Sequence, residues 1–91
     1  GAAEALEIVA HGDAKTSKVV GRRVEQIKLP QGAEIGAIVR TMRDAEVFKR
    51  VIIPHHDTMI ESGDRVIVFL PRKRMVREVE KLFQVSATFL F

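Results

Sequence analysis

Two apolar runs, residues 51–53 and 66–70, constrain the fold more than any other feature of the chain. Segment 51–70 reads VIIPHHDTMIESGDRVIVFL, with a Pro, two histidines and a Gly-Asp pair between the runs. β-Branched side chains are typical of strands, whereas Pro, Gly and Asp favour turns. The pattern therefore predicts two strands joined by a polar corner, and it raises the question whether that corner carries chemistry or only turns the chain.

The first third of the chain predicts a strand and then a short helix. Residues 4–10 alternate imperfectly and are typical of a strand. Residues 17–27 place apolar side chains at i, i+4 and i+7, behind Thr16 or Ser17 as a helix cap. Gly21 inside this helix costs about 1 kcal/mol relative to Ala. The stripe consists of Val20, Val24 and Ile27.

Residues 33–41, AEIGAIVRT, predict a second strand. Strict alternation puts Ile35, Ala37 and Val39 on one face of this strand. Ile38 and Arg40 then lie on the other face. The following residues, 41–50, fit either a helical turn or a long hairpin loop.

The last helix begins behind Pro71, a residue suited to a helix start. The apolar side chains that follow at helical spacing are Met75, Val76, Val79, Leu82 and Phe83. The predicted order is β-α-β-β-β-α. We expect an α+β fold in which a small, mostly antiparallel sheet carries helices on one face. At 91 residues the chain is one domain, 1–91, which we expect to be part of a longer protein.

Composition excludes several classes of function. Without cysteine there is no disulfide, thiolate nucleophile or Cys-ligated zinc. The sequence contains neither GxGxxG nor GxxxxGK[ST], and no apolar run reaches the roughly 20 residues that span a bilayer. It has no Trp or Tyr and does not alternate aromatic with basic residues, so nucleic-acid binding and direct membrane insertion are not expected.

The His55-His56-Asp57 corner is interpreted as an exposed turn. Adjacent histidines in an extended segment point to opposite sides and chelate one ion poorly, so no metal site is predicted. No serine lies in a GxSxG elbow, and an acid–base pair such as His56 with Asp57 or Asp64 is not specific. We predict no catalytic residue and no enzyme activity. Gly63-Asp64 is interpreted as a tight turn that starts a strand.

Two further segments could contact partners. Residues 72–74, Arg-Lys-Arg, lie where a helix dipole prefers anions, and the simpler interpretation is a solvated basic corner. Residues 86–91 contain Phe89, Leu90 and Phe91, which we expect to pack on this domain or on a neighbouring subunit.

The order of the motifs resembles the TrkA/RCK C-terminal domain family, whose members belong to cytosolic regulators of potassium channels and transporters. Residues 17–40 resemble the family's helix, Leu-Pro turn and strand ending in Ile-x-Arg. Residues 51–70 are similar to its strand–turn–strand. The close, VEKLFQVSATFLF, adds to the resemblance. The residues that carry the strand–turn–strand motif are Pro54, Asp57, Thr58, Gly63 and Asp64.

The resemblance implies a regulatory and oligomerisation domain of a cytosolic potassium-uptake regulator that gates a membrane potassium transporter. Family members carry a separate N-terminal Rossmann-like domain for NAD(H) or adenine nucleotides, so no cofactor is expected in this domain. They assemble into rings beneath the pore. We therefore expect self-association as a homodimer within a larger ring, in the cytoplasm and peripheral to the inner face of the membrane.

The alternative that the resemblance implies is a ligand-sensing domain. In some relatives a cyclic dinucleotide, or a cation, is held between two C-terminal domains. By position Arg40, Pro54 and His55 would lie near such an interface, with His56 beside them to clasp an anion. Two departures are that residues 41–50 lack Gly and look long, and that His56 stands where many members have Gly or Asn.

Overall fold

The computed structural model describes residues 4–85. It contains one four-stranded antiparallel sheet with the strand order β1-β4-β2-β3. The strands are β1 (Glu4–Val9), β2 (Glu34–Arg43), β3 (Val47–Ile52) and β4 (Arg65–Leu70), and the α-helix is α1 (Val76–Phe83). Two 3-10 helices, Val24–Gln26 and Lys73–Met75, complete the elements. The predicted α+β fold with an antiparallel sheet is confirmed.

The core lies on one face of the sheet, against α1 and the segment between β1 and β2. Strand β4 is central and alternates, because Val66, Val68 and Leu70 are buried whereas Arg65 and Phe69 are exposed. The other buried apolar residues are Ala10, Val19, Val20, Ile27, Ile38, Ile60, Met75, Val79 and Phe83. The apolar face predicted for the last helix is confirmed, although residues 72–74 precede α1 rather than form its first turn.

The helix predicted over residues 17–27 is wrong. The segment forms turns and the short 3-10 helix, because its backbone donors bond across to another loop instead of to their own preceding turn. The Gly21 N–H donates to the carbonyl of Ile60 at 2.8 Å, and the Val24 N–H donates to the carbonyl of Thr58 at 2.8 Å. Gly21 has φ +80°, which only Gly adopts readily. The stripe still reaches the core, with Val20 and Ile27 buried.

Residues 41–50 are neither a helical turn nor a long loop. Strand β2 continues to Arg43, and β3 begins at Val47 in register with it, Arg43 opposite Val47 and Thr41 opposite Lys49. Only residues 44–46 form the turn, in which the Asp44 N–H donates to the Glu46 carbonyl at 3.3 Å. The chain therefore has a long hairpin at one edge of the sheet.

The two faces predicted for β2 are partly wrong. Ile35 pairs with Val68 and Ala37 with Ile67, so the ladder shifts by one residue at Gly36. This bulge turns Ile35 to the core face, the same face as buried Ile38. A strict period of two cannot predict such a reversal. The ring of Phe69 occupies the space that a side chain on residue 36 would need.

No helix within residues 4–85 is both long and apolar enough to cross a membrane.

Candidate functional site

Arg40 is the centre of the polar network at the corner. Its Nε donates to Asp64 Oδ1 at 3.0 Å and its Nη2 to Asp64 Oδ2 at 2.9 Å, a bidentate ion pair. Nη2 also donates to the Met59 carbonyl at 2.9 Å, and Nη1 lies 2.8 Å from Glu61 Oε2. The side chains of Arg40 and Asp64 are 17% and 1% exposed, so the pair is largely removed from water.

Asp64 connects this network to the turn before β4. Its Oδ2 accepts the Glu61 N–H at 2.8 Å, and its carbonyl accepts the Ala10 N–H at 2.8 Å. Gly63, with φ +86°, supplies the left-handed position of the turn and donates its N–H to the Ala10 carbonyl at 2.7 Å. The predicted Gly-Asp turn is confirmed.

The sequence-based interpretation missed that Asp64 also pairs with Arg40. The two residues lie 24 positions apart in the chain. A usable signal existed, because an Arg on the core face of an apolar strand requires a buried acidic partner.

The electrostatics make Arg40 a permanent cation. The hydrogen bonds to the Asp64 carboxylate raise the pKa of Arg40, although burial alone would lower it. Its contacts with Asp64, Glu61 and the Met59 carbonyl occupy Nε, Nη1 and Nη2. An external anion would have to compete with two carboxylates for this guanidinium. The arrangement therefore joins β2 to the 59–64 loop.

The histidine corner is a surface turn, as predicted. His55 and His56 are exposed and Pro54 is half-buried. The Thr58 Oγ1 accepts the His55 N–H at 2.9 Å, and the His56 carbonyl accepts the Glu25 N–H at 2.9 Å. Hydrogen bonds to the first 3-10 helix thus hold the backbone of the corner. Residues 4–85 contain no group of three or more His, Cys, Asp or Glu side chains placed to hold a metal ion.

Arg40 lines a cavity that the other ligand candidates, residues 54–56, do not line. A cavity of about 160 Å³ beside Arg40 is lined by β2 and by the 61–64 turn, and not by residues 54–56. Its lining residues are Arg40, Thr41, Arg43, Glu61, Ser62, Gly63 and Asp64. The polar side chains gathered here therefore come from the Gly-Asp turn rather than from the histidine corner.

The exposed apolar surface is concentrated along β3, the edge strand next to β2. The exposed fractions are 65% for Val47, 47% for Phe48, 65% for Val51 and 69% for Ile53. Val47 and Phe48 were not expected on this surface, because residues 41–50 were predicted to be a helical turn or a loop. The predicted interface residues Phe89, Leu90 and Phe91 lie outside the described residues.

Comparison with known families identifies the domain. The TrkA-C domain family matches residues 13–84, which include the Arg40–Asp64 network and β3. The chain belongs to the TrkA-C domain family. The family resemblance expected from the motif order is therefore confirmed.

Three curated relatives of this TrkA-C domain share the name Trk system potassium uptake protein TrkA. The protein from Halomonas elongata is 54% identical over 98% of this chain, and that from Vibrio alginolyticus is 54% identical over 99%. The protein from Haemophilus influenzae is 46% identical over 99%. The chain spans 18% of the length of each of these three relatives.

Proposed function

We propose that this TrkA-C domain is a regulatory and self-association module of a Trk-type potassium uptake protein. The family match and the name that the relatives share support the potassium-uptake part of the proposal. The observation that carries the self-association part is the exposed apolar edge along β3, residues 47–53.

Leaving the apolar side chains of this edge in water is unfavourable. Each large apolar side chain that becomes fully buried contributes about 1.5–3 kcal/mol, and a two-fold interface buries each contact twice. Among the described residues β3 pairs with β2 alone, so its outer backbone groups can also bond to a second strand. Two copies joined along β3 would bury these apolar side chains and pair the outer backbone groups of the strand.

The charges on β3 restrict how two copies can pair. A two-fold axis perpendicular to the sheet keeps each side chain on its own face, so only registers symmetric about one residue are possible. Symmetry about Arg50 would place two guanidinium groups opposite each other. Symmetry about Val51 places Lys49 opposite Ile53 of the partner subunit and Arg50 opposite Ile52 of the partner subunit. We propose the Val51 register.

In the full protein this dimer would be one contact of a larger ring. The ring would sit in the cytoplasm at the inner face of the membrane and act on a potassium transporter. NAD(H) or an adenine nucleotide would bind a separate N-terminal domain of the longer chain. A ligand that binds one assembly state more tightly would shift the population of that state and so gate the transporter.

Light scattering on the 91-residue chain and on its Val51→Lys variant tests the self-association. We expect a dimer at high micromolar concentration for the parent chain and a monomer for Val51→Lys, since the buried charge would face its own copy. Ala5→Lys adds the same charge to the exposed face of β1, at the opposite edge of the sheet, and should remain dimeric. A parent chain that is strictly monomeric would contradict this part of the proposal.

The alternative proposal is an anion or cyclic-dinucleotide sensor at the dimer interface. The observation that supports it is that Arg40 and Arg43 both line the 160 Å³ cavity next to the hairpin. A ligand there would have to break the pairing of Arg40 with Asp64. Calorimetry with cyclic dinucleotides tests this alternative, and heat that disappears in Arg43→Gln would support it. If none of the cyclic dinucleotides gives heat of binding, self-association remains the proposed function.

A further inference from the structure

The net positive charge of the chain comes from one stretch, residues 71–78, PRKRMVRE. This stretch holds four of the fifteen Lys and Arg residues and one of the twelve Asp and Glu residues, which gives it a charge of +3. The eleven basic and eleven acidic residues elsewhere cancel. The four basic residues, here called the basic cluster, are all exposed, and within residues 4–85 none of them forms an ion pair. They are Arg72, Lys73, Arg74 and Arg77.

The basic cluster borders a cleft of about 500 Å³, which lies between the turn before β2 and the segment that joins β4 to α1. Pro30, Pro71 and Met75 supply the apolar part of its lining. Arg72 and Arg74 supply two cationic side chains to the same lining. The cleft therefore combines an apolar floor with positive charge that has no described partner.

The backbone on both sides of the cleft is held in place. Gly32 lies so close to Pro71 that a Cβ on residue 32 would meet the proline ring at 3.0 Å. The Met75 N–H donates to the Arg72 carbonyl at 3.0 Å, and the Met75 side chain is buried. The two walls are thus formed before any partner arrives, so less conformational entropy is lost on binding.

We propose that this cleft binds an acidic peptide segment of a partner protein, with an apolar side chain of the segment against the prolines and its carboxylates on the arginines. Guanidinium groups bind carboxylates in a bidentate manner, and the apolar lining favours burial of a side chain such as Leu. Pro71, Arg72 and Arg74 remain exposed, so the cleft is shallow. A segment lying across it fits better than a small ligand, because small-ligand sites enclose most of their ligand.

The described surface favours a peptide over an anionic membrane as the partner of the basic cluster. A helix that binds a membrane interface exposes large apolar side chains beside its basic residues. In α1, Val79 and Phe83 are instead buried in the core. Glu78 also lines the cleft. A peptide can place an uncharged residue opposite this carboxylate, whereas a continuous anionic surface would be repelled by it.

Fluorescence anisotropy with the labelled peptide EDLEDLED and the 91-residue chain tests the inference. We expect saturable binding that weakens at least about fivefold when the NaCl concentration rises from about 50 to about 300 mM. The double variant Arg72→Gln/Arg74→Gln should weaken binding by about tenfold. Lys15→Gln/Lys49→Gln removes the same charge from exposed positions that do not line the cleft, and should change the affinity by less than about twofold.

A second pair of variants predicts a change of opposite sign. Glu78→Gln removes the carboxylate from the cleft and should tighten binding of EDLEDLED by about threefold. Glu80→Gln makes the same change on the same helix outside the cleft lining, and should have a smaller effect. Equal effects of Glu78→Gln and Glu80→Gln would overturn the inference, because the charge of the whole domain rather than the cleft would then control affinity.

Two further probes distinguish the cleft from other acceptors of a basic cluster. The uncharged peptide QNLQNLQN should bind at least about tenfold more weakly than EDLEDLED. Sedimentation with vesicles that contain phosphatidylserine measures membrane binding. Vesicle binding without peptide binding, no binding of EDLEDLED, or equal losses in the two double variants would each overturn the inference. The result does not depend on the proposed dimer, because the cleft residues lie outside β3.

Discussion

The two edge strands of the sheet, β1 and β3, have the same length and opposite surroundings. Each contains six residues. In β1 the side chains alternate between half-buried and exposed until residue 9, and α1 packs against the strand. In β3 the five residues 47–51 are all exposed, and Ile52 alone is half-buried. The strands differ in what covers them.

Composition alone therefore does not decide which strand is buried in this fold. Strand β3, VFKRVI, is as rich in Val, Ile and Phe as a core strand, yet the helix layer does not reach it. Strand β1, EALEIV, carries two Glu and is nevertheless the better covered. The one α-helix within residues 4–85 is too short to cover four strands, since eight residues span about 12 Å. The apolar surface that remains uncovered is the surface offered to partners.

The largest effect is expected from Phe83→Ala, which removes the side chain that joins α1 to the covered half of the sheet. Phe83 is 3% exposed, and truncation of a buried Phe costs about 3–5 kcal/mol in the free energy of unfolding. Urea denaturation followed by circular dichroism measures the loss. The matched control is Phe48→Ala on β3, for which we expect less than about 1 kcal/mol in the monomer. Equal losses at both positions would contradict the comparison.

The second effect concerns the ion pair between β2 and the 59–64 loop. Asp64→Asn should lower the free energy of unfolding by about 2 kcal/mol, because Arg40 loses its buried partner. The loss is below the full value for a buried pair because Arg40 keeps Glu61 and the Met59 carbonyl. Glu61→Gln, at a side chain 60% exposed, is the control and should change stability by less than about 1 kcal/mol. Equal losses of stability in Asp64→Asn and Glu61→Gln would mean that Asp64 is not the main stabilising partner of Arg40.

Part of this structure was predictable from the sequence because it depends on local signals. The strand alternation of 65–70, the apolar spacing of α1 and the Gly-Asp turn each depend on residues within one or two turns of the chain. The resemblance in motif order also led to the TrkA-C domain family. What these features share is that their backbone partners are close in sequence or follow the standard periods.

Apart from the local hairpin at residues 41–50, the features that were predicted wrongly or missed share a cause, which is pairing between distant segments. The helix expected at 17–27 was replaced by bonds from Gly21 and Val24 to residues 58–60. The bulge at Gly36 turned Ile35 to the core face of β2, and the Arg40–Asp64 pair joined residues 24 positions apart. Propensity is a weak prior, and tertiary contacts of this kind override it.

A third effect should separate stability from association at β3. Val51→Thr keeps the shape of an exposed side chain, so the free energy of unfolding of the monomer should change by no more than about 0.5 kcal/mol. The dimer dissociation constant, measured by sedimentation, should nevertheless rise because the hydroxyl is buried in the proposed interface. Val66→Thr in the core is the matched variant and should cost about 1–3 kcal/mol. A large loss of monomer stability in Val51→Thr would show that β3 is not an open edge.

The smallest effect compares the turns that follow the two edge strands. After β1, Asp13 Oδ1 accepts the N–H groups of Lys15 and Thr16 at 2.9 and 3.0 Å, and these hydrogen bonds, first of all that from Thr16, lower the pKa of Asp13. After β3, the equivalent acceptor is the uncharged hydroxyl of Thr58. A carboxyl with a lowered folded-state pKa stabilises the fold above its ordinary pKa near 4, and this stabilisation is lost as the pH falls through the folded value.

The stability difference between the parent chain and Asp13→Ala should therefore shrink between pH 5 and pH 2, whereas that for Thr58→Ala should stay constant. Urea unfolding at several pH values measures both differences, and a constant difference for Asp13→Ala would show that the ionised carboxylate is not what holds the turn.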